Sequence, residues 1–256
     1  MLKISSKPSY SVRRLTIIGV LGAISAVLGM TPIGFIPVGP TNATIMHIPV
    51  IIGAILEGPV VGMLVGLIFG IFSLIRAITA PTVISPVFYN PLVSVLPRVL
   101  IGLTAYYSFI LFKRLDRKIS VFALIVVWIS STLYLGNSFV SKISQYGAGT
   151  VELWEIILSG LLIITTLSIG YLSYKKFRKQ AIEIVLSAAI GTLTNTVGVL
   201  GMIYIFYGKW FVEKIGGDTA IVGKVIMGIG IANGIPEVII AMLIVTSVVM
   251  GVKKQI

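Results

Sequence analysis

The chain has 256 residues, of which 57% are hydrophobic and only 11% charged, far from the ~25% charged residues of ordinary soluble domains. It carries a formal net charge of +12 and no cysteine, which excludes disulfides, thiolate metal sites and cysteine nucleophiles. The basic residues fall in short clusters between apolar runs, so they mark the sides of a membrane and not a nucleic-acid surface.

Apolar runs at or near the ~20 residues that cross ~30 Å of hydrocarbon recur throughout and predict one all-α integral membrane domain over 1–256. After Lys3, Lys7, Arg13 and Arg14, a first helix runs from about Leu15 to Met30. Its small segment, Ala23-Ile24-Ser25-Ala26, lies inside the apolar run, so it reads as an uncleaved helix and not a signal peptide. The pairs Gly19/Ala23 and Gly22/Ala26 put small residues four apart, suited to close packing within the chain or to docking of a partner helix. Thr31 to Thr44 is a Pro/Gly-rich outer loop, and the sequon-like Asn42-Ala43-Thr44 within it is read as chance.

A short second helix, Ile45 to Leu56, carries the only histidine, His47, at its outer end. Glu57-Gly58-Pro59 then reverses the chain into a third helix, Val60 to Ile75, whose Gly62, Gly66 and Gly70 suit internal packing. Arg76 to Asn90, with Pro81 and Pro86, is an outer segment leading through Tyr89 into a fourth helix, Pro91 to Phe112. Asn90, Ser94 and Arg98 at i, i+4 and i+8 form a polar stripe, loosened by Pro97. A charge at the depth of Arg98 costs on the order of 3 kcal/mol, so it faces a wet cavity or a partner, either Glu237 or a backbone carbonyl.

Lys113, Arg114, Arg117 and Lys118 close that helix. Two further spans, Val121 to Leu135 and Leu153 to Tyr171, flank a polar outer stretch with Asn137, Lys142, Gln145 and Glu152. Past Lys175, Lys176, Arg178 and Lys179, a seventh helix (Ile182 to Tyr207) offers Thr192, Thr194, Asn195 and Thr196. An eighth (Val222 to Val252) offers Asn233 and Glu237, with Gly234 and Pro236 interrupting it, before Lys253 and Lys254. Eight crossings with every basic cluster on one side place both termini in the cytoplasm. The second, fourth, seventh and eighth helices thus bring polar atoms together in an apolar surround, as a small-molecule pocket requires.

No Walker A loop is present: Gly223-Lys224 is followed by Val225, and Asp218 stands where the first glycine belongs. One histidine and scattered carboxylates give no metal-ligand spacing and no nucleophile–base pair, so neither an enzyme nor a cofactor is expected.

The segments HIPVIIGAILEGPVVG (His47 to Gly62), NPLVSVLPRVLIG (Asn90 to Gly102), GTLTNTVGVLGMIY (Gly191 to Tyr204) and NGIPE (Asn233 to Glu237), with the small face of the first helix, resemble the substrate-binding S components of energy-coupling factor (ECF) transporters. The resemblance implies a six-helix bundle in a prokaryotic cell membrane that captures a vitamin at its outer face. It assigns binding to Asn42, Thr44, His47, Tyr89, Asn90, Arg98, Asn195, Asn233 and Glu237. It also implies that the first helix, at Gly19 and Ala23, docks on a transmembrane coupling protein linked to two ATPase subunits, where ATP is hydrolysed. Core helices would occupy 14–114 and 180–256, and 115–179 would be an inserted helical hairpin. The NATIMHIP form of the second-helix entrance resembles pantothenate-type members; riboflavin, a B6 vitamer, folate and cobalamin stay open. The competing class is an ion-coupled secondary carrier, with Glu237 and Asn195 as coupling groups.

Overall fold

The structure, a computed structural model, describes residues 10–38, 41–147, 152–176 and 179–253. It is helical apart from one short hairpin. Helix α1 (Tyr10–Met30) is followed by strands β1 (Phe35–Val38) and β2 (Thr41–Thr44), then α2 (Ile48–Glu57) and α3 (Pro59–Thr79). A short 3-10 turn leads to α4 (Pro91–Ser94) and α5 (Leu96–Arg114). Helices α6 (Arg117–Gly147), α7 (Leu153–Lys176), α8 (Lys179–Lys214) and α9 (Val222–Lys253) complete the chain. Among the described residues six helices are long and apolar enough to cross a membrane; α2 and the Leu153–Ser168 part of α7 are apolar but shorter.

Helix α2 explains how so short an element is tolerated. It is apolar all round, Ile48 to Ile55 are buried, and it touches α1, α3, α5, α8 and α9. A helix with no polar face belongs inside a bundle, where protein and not lipid surrounds its ends. Its exit is sharp because Gly58 adopts φ 102°, ψ 176°, a region that only glycine enters without strain, and Pro59 then starts α3. Arg13 of α1 pairs with Glu57 at 2.9 Å and ties α1 to this turn.

Lipid tails are as apolar as leucine, so helices in a membrane associate through close contact and not through escape from water. Gly62, Gly66 and Gly70 of α3 lie against α5: a Cβ on Gly66 would collide with the Arg98 carbonyl, and one on Gly70 would sit 2.8 Å from the Val95 Cα. Gly102 of α5 returns the contact at Met63. The glycine run therefore packs internally, as its spacing suggested. Helices α8 and α9 pack along one another, and α6 pairs with α7, with both reaching α9.

Four expectations need correction. The segment expected as an irregular loop holds an antiparallel hairpin, with Phe35 opposite Thr44 and Val38 opposite Thr41. The fourth helix is broken at Val95 into α4 and α5. Helix α6 continues to Gly147, so Asn137, Lys142 and Gln145 lie on it and not in a loop. Finally, α9 runs through Gly234 and Pro236 without interruption. Proline there only removes the donor for the Ala232 carbonyl, a loss that a packed helix absorbs.

Candidate functional site

The polar residues converge where β2, α2, α8 and α9 meet. The Glu237 carboxylate, 4% exposed, accepts three hydrogen bonds. Thr44 donates its backbone N–H and its hydroxyl to Oε1, both at 2.8 Å, and Thr196 donates its hydroxyl to Oε2 at 2.9 Å. Three donors satisfy both carboxylate oxygens in a place where an unpartnered polar group would be costly. Helix α9 is thereby joined to the β1–β2 hairpin and to α8.

His47, at the N-cap of α2, is fully buried. Its Nε2 lies 3.0 Å from the Thr192 hydroxyl, which itself donates to the Ala188 carbonyl at 2.8 Å. That hydroxyl proton is committed, so His47 is the donor through Nε2–H, and this network assigns the tautomer. Nδ1 is then a bare acceptor, and it has no partner. Asn195 Oδ1, Asn233 Oδ1 and Arg98 Nε are likewise buried and unpartnered.

Arg98 occupies the break between α4 and α5. Its Nη1 donates to the Val93 carbonyl, whose helical donor would be the N–H that Pro97 lacks, and its guanidinium faces the Phe69 and Phe88 rings at 5.5 and 5.9 Å. Among the described residues Arg98 and Glu237 form no ion pair. Of the two partners expected for it, the structure supplies the backbone carbonyl.

The rest of the stripe is also engaged locally. Asn90 caps α4 by accepting from Leu92 N at 3.0 Å and donates to the Tyr207 hydroxyl at 3.3 Å; Ser94 donates to the Phe88 carbonyl. Tyr89 is 46% exposed at the end of the 3-10 turn, away from the Glu237 cluster's hydrogen bonds. Asn42 lies on β2 opposite Pro37, and its side chain falls outside the described ones. Thr192 and Thr196 join the cluster without having been singled out as site residues; their spacing of four on α8, facing His47 and Glu237, was the available signal. No group of three or more acidic or histidine side chains that could hold a metal occurs among the described residues.

Residues 13–150 and 137–249 match the family model described as the ECF transporter substrate-specific component. The chain belongs to this family. It is also 30% identical over 152 residues to the pantothenic acid transporter PanT of Lactococcus lactis subsp. cremoris (strain MG1363), covering 50% of this chain and 76% of that relative. This substrate-specific component is accordingly a multi-pass protein of the cell membrane.

Its first helix has two distinct faces. Gly22 and Ala26 are buried, and a Cβ on Gly22 would press on Ile68 of α3 at 2.6 Å. Gly19 and Ala23 are exposed on the other side, and nothing lies within 4 Å of a Cβ placed on Gly19. The two small-residue pairs therefore divide the roles that spacing alone left undecided: one packs within the component and the other is free of internal packing.

Proposed function

We propose that this chain is a high-affinity vitamin-binding S component, with pantothenate as its ligand, that captures the vitamin at the outer face and docks on a coupling protein carrying two ATPases. The observation that carries the reading is the set of buried, unpartnered polar atoms on His47, Arg98, Asn195 and Asn233 in a relative of a pantothenic acid transporter. Buried polar atoms without partners are costly, and a ligand that completes them recovers that cost on binding. Pantothenate has the matching groups: a carboxylate for Arg98, and hydroxyl and amide donors for the three acceptors.

In this reading Thr44, His47, Asn90, Arg98, Asn195, Asn233 and Glu237 surround or support the ligand, with Asn42 and Tyr89 at its entrance. Both termini are cytoplasmic, 115–179 is a hairpin inserted into the six-helix core, and the chain itself is not catalytic. A nanomolar affinity needs about −12 kcal/mol, which a few polar groups supply only if an outer segment shields them from water.

The test is mass spectrometry of the small molecule that co-purifies with the chain, followed by calorimetric titration with pantothenate, riboflavin, pyridoxine, folate and cobalamin. Nanomolar binding of pantothenate alone is expected, with no uptake into liposomes until the coupling module and ATP are added. Uptake by the chain alone, abolished when the ion gradient collapses, would replace this reading with an ion-coupled carrier.

A further inference from the structure

A groove of about 440 Å³ runs between α8 and α9. Its walls are apolar: Val197, Leu200, Met227 and Ile231 line it, and Gly201 and Gly230 deepen it by lacking side chains. Val197 and Met227 are 66% and 64% exposed, so the groove opens sideways onto the surface that a bilayer covers. The polar side chains in the lining are Thr196, whose hydroxyl is already given to Glu237, and Tyr204 at one end. Nothing in it serves a polar vitamin. Hydrocarbon is what it fits.

From Leu193 to Tyr204 the groove follows α8 for about 16 Å at 1.5 Å per residue, roughly half the ~30 Å of a bilayer's hydrocarbon. One acyl chain of one leaflet has that reach. The Tyr204 end lies toward the α8–α9 turn, where Tyr207 and Trp210 form an aromatic band suited to the headgroup level. Exposed Lys209 follows Tyr204, exposed Lys224 follows the lining residue Gly223, and Lys214 stacks on Trp210. The acidic groups near this turn are Glu213 and Asp218; Asp218 accepts from Ala220 N at 2.8 Å and caps a 3-10 turn. The balance is positive at the level of a lipid phosphate.

We infer that this groove is a binding site for one anionic phospholipid, with an acyl chain between α8 and α9 and its phosphate near Lys209 and Lys224. The groove shares Thr196 with the cluster around Glu237, but the lipid is tested in the absence of any vitamin.

The test is native mass spectrometry of the full chain released from nanodiscs containing equal phosphatidylglycerol and phosphatidylcholine. One retained phosphatidylglycerol per chain is expected. Gly201→Phe fills the groove at a point where nothing lies within 4 Å of an added Cβ, and should lower retention at least tenfold. Val197→Trp, from an exposed position, should do the same if Gly201→Phe fails to fold. Lys224→Gln should abolish the preference for phosphatidylglycerol while an acyl chain is still retained. Unchanged retention in a folded groove-filled variant overturns the inference, as does a groove occupied by a coupling-protein helix in crosslinks from position 197.

Discussion

Thr44 and Glu237, 193 positions apart, are joined by two hydrogen bonds to one carboxylate oxygen, which fasten the β1–β2 hairpin to α9. This contact gives Glu237 a task that does not involve touching a ligand. Thr44→Val keeps the side-chain shape and removes one side-chain hydrogen bond, worth about 0.5–1.5 kcal/mol. Hydrogen exchange at the Thr44 and Ile45 amides of ligand-free protein should speed up by up to about tenfold in this variant. Glu237→Gln should do likewise, and the double variant should be no worse than the stronger single one, because both remove one contact. Additive effects would mean that the two residues act separately.

That contact also shows how much of the site was legible. Thr44, His47, Asn195, Asn233 and Glu237 stand out as polar residues in apolar segments, and all five carry buried partners or buried unpartnered atoms. The stripe Asn90, Ser94 and Arg98 misled because i+4 spacing presumes a continuous helix. The break at Val95 turns each of these side chains onto nearby backbone. Pro236 misled in the opposite direction: proline disfavours an isolated helix, but tertiary packing carries α9 through it. The β1–β2 hairpin left no trace because Pro/Gly-rich composition signals a loop without specifying its pairing.

Arg98 holds the α4–α5 break together, so its removal should be felt in the ligand-free protein. Arg98→Ala leaves the buried Val93 carbonyl without its donor, a loss of about 1–3 kcal/mol, and removes a cation from between two phenyl rings. Thermal unfolding in detergent should show a lower midpoint. Arg98→Lys should recover only part of it, since an ammonium lacks the planar fork. A full recovery by lysine would reduce the role to charge alone.

Two glycines with equally open surroundings should behave oppositely. Nothing lies within 4 Å of a Cβ on Gly58 or on Gly19. Gly58→Ala must still adopt φ 102°, which costs about 1–3 kcal/mol, whereas Gly19 is helical and alanine there is favourable. Unfolding midpoints should fall for Gly58→Ala and hold or rise for Gly19→Ala.

The exposed face of α1 should matter only for assembly. Gly19→Leu and Ala23→Leu place bulk at positions exposed among the described residues, so folding and ligand affinity should match the parent. Co-purification with the coupling protein should drop at least tenfold, because small residues permit the close backbone approach that drives helix association in lipid. Gly22→Leu is the contrasting variant: it meets Ile68 at 2.6 Å from the Cβ and should destabilise the isolated chain. Equal assembly by the Gly19 and Ala23 variants would move the docking surface elsewhere.

Two of the polar contacts between α6 and α7 should respond differently to substitution. Lys142 meets Glu155 at 3.4 Å with both side chains largely covered, and the Trp128 Nε1 donates to the Thr166 carbonyl at 2.8 Å. Lys142→Met alone leaves a covered carboxylate unpaired and should destabilise the hairpin by about 3–5 kcal/mol at most, less because some solvent reaches both groups. Adding Glu155→Leu removes the orphaned charge, so the double variant should recover most of the loss, as apolar replacements of buried pairs generally do. Thermal unfolding in detergent, followed for parent, single and double variants, reads this order directly. Ligand affinity should stay constant across all three, since the pair lies on α6 and α7 while the buried cluster is built from β2, α2, α5, α8 and α9. A parallel loss of affinity and hairpin stability would place α6–α7 within the binding unit.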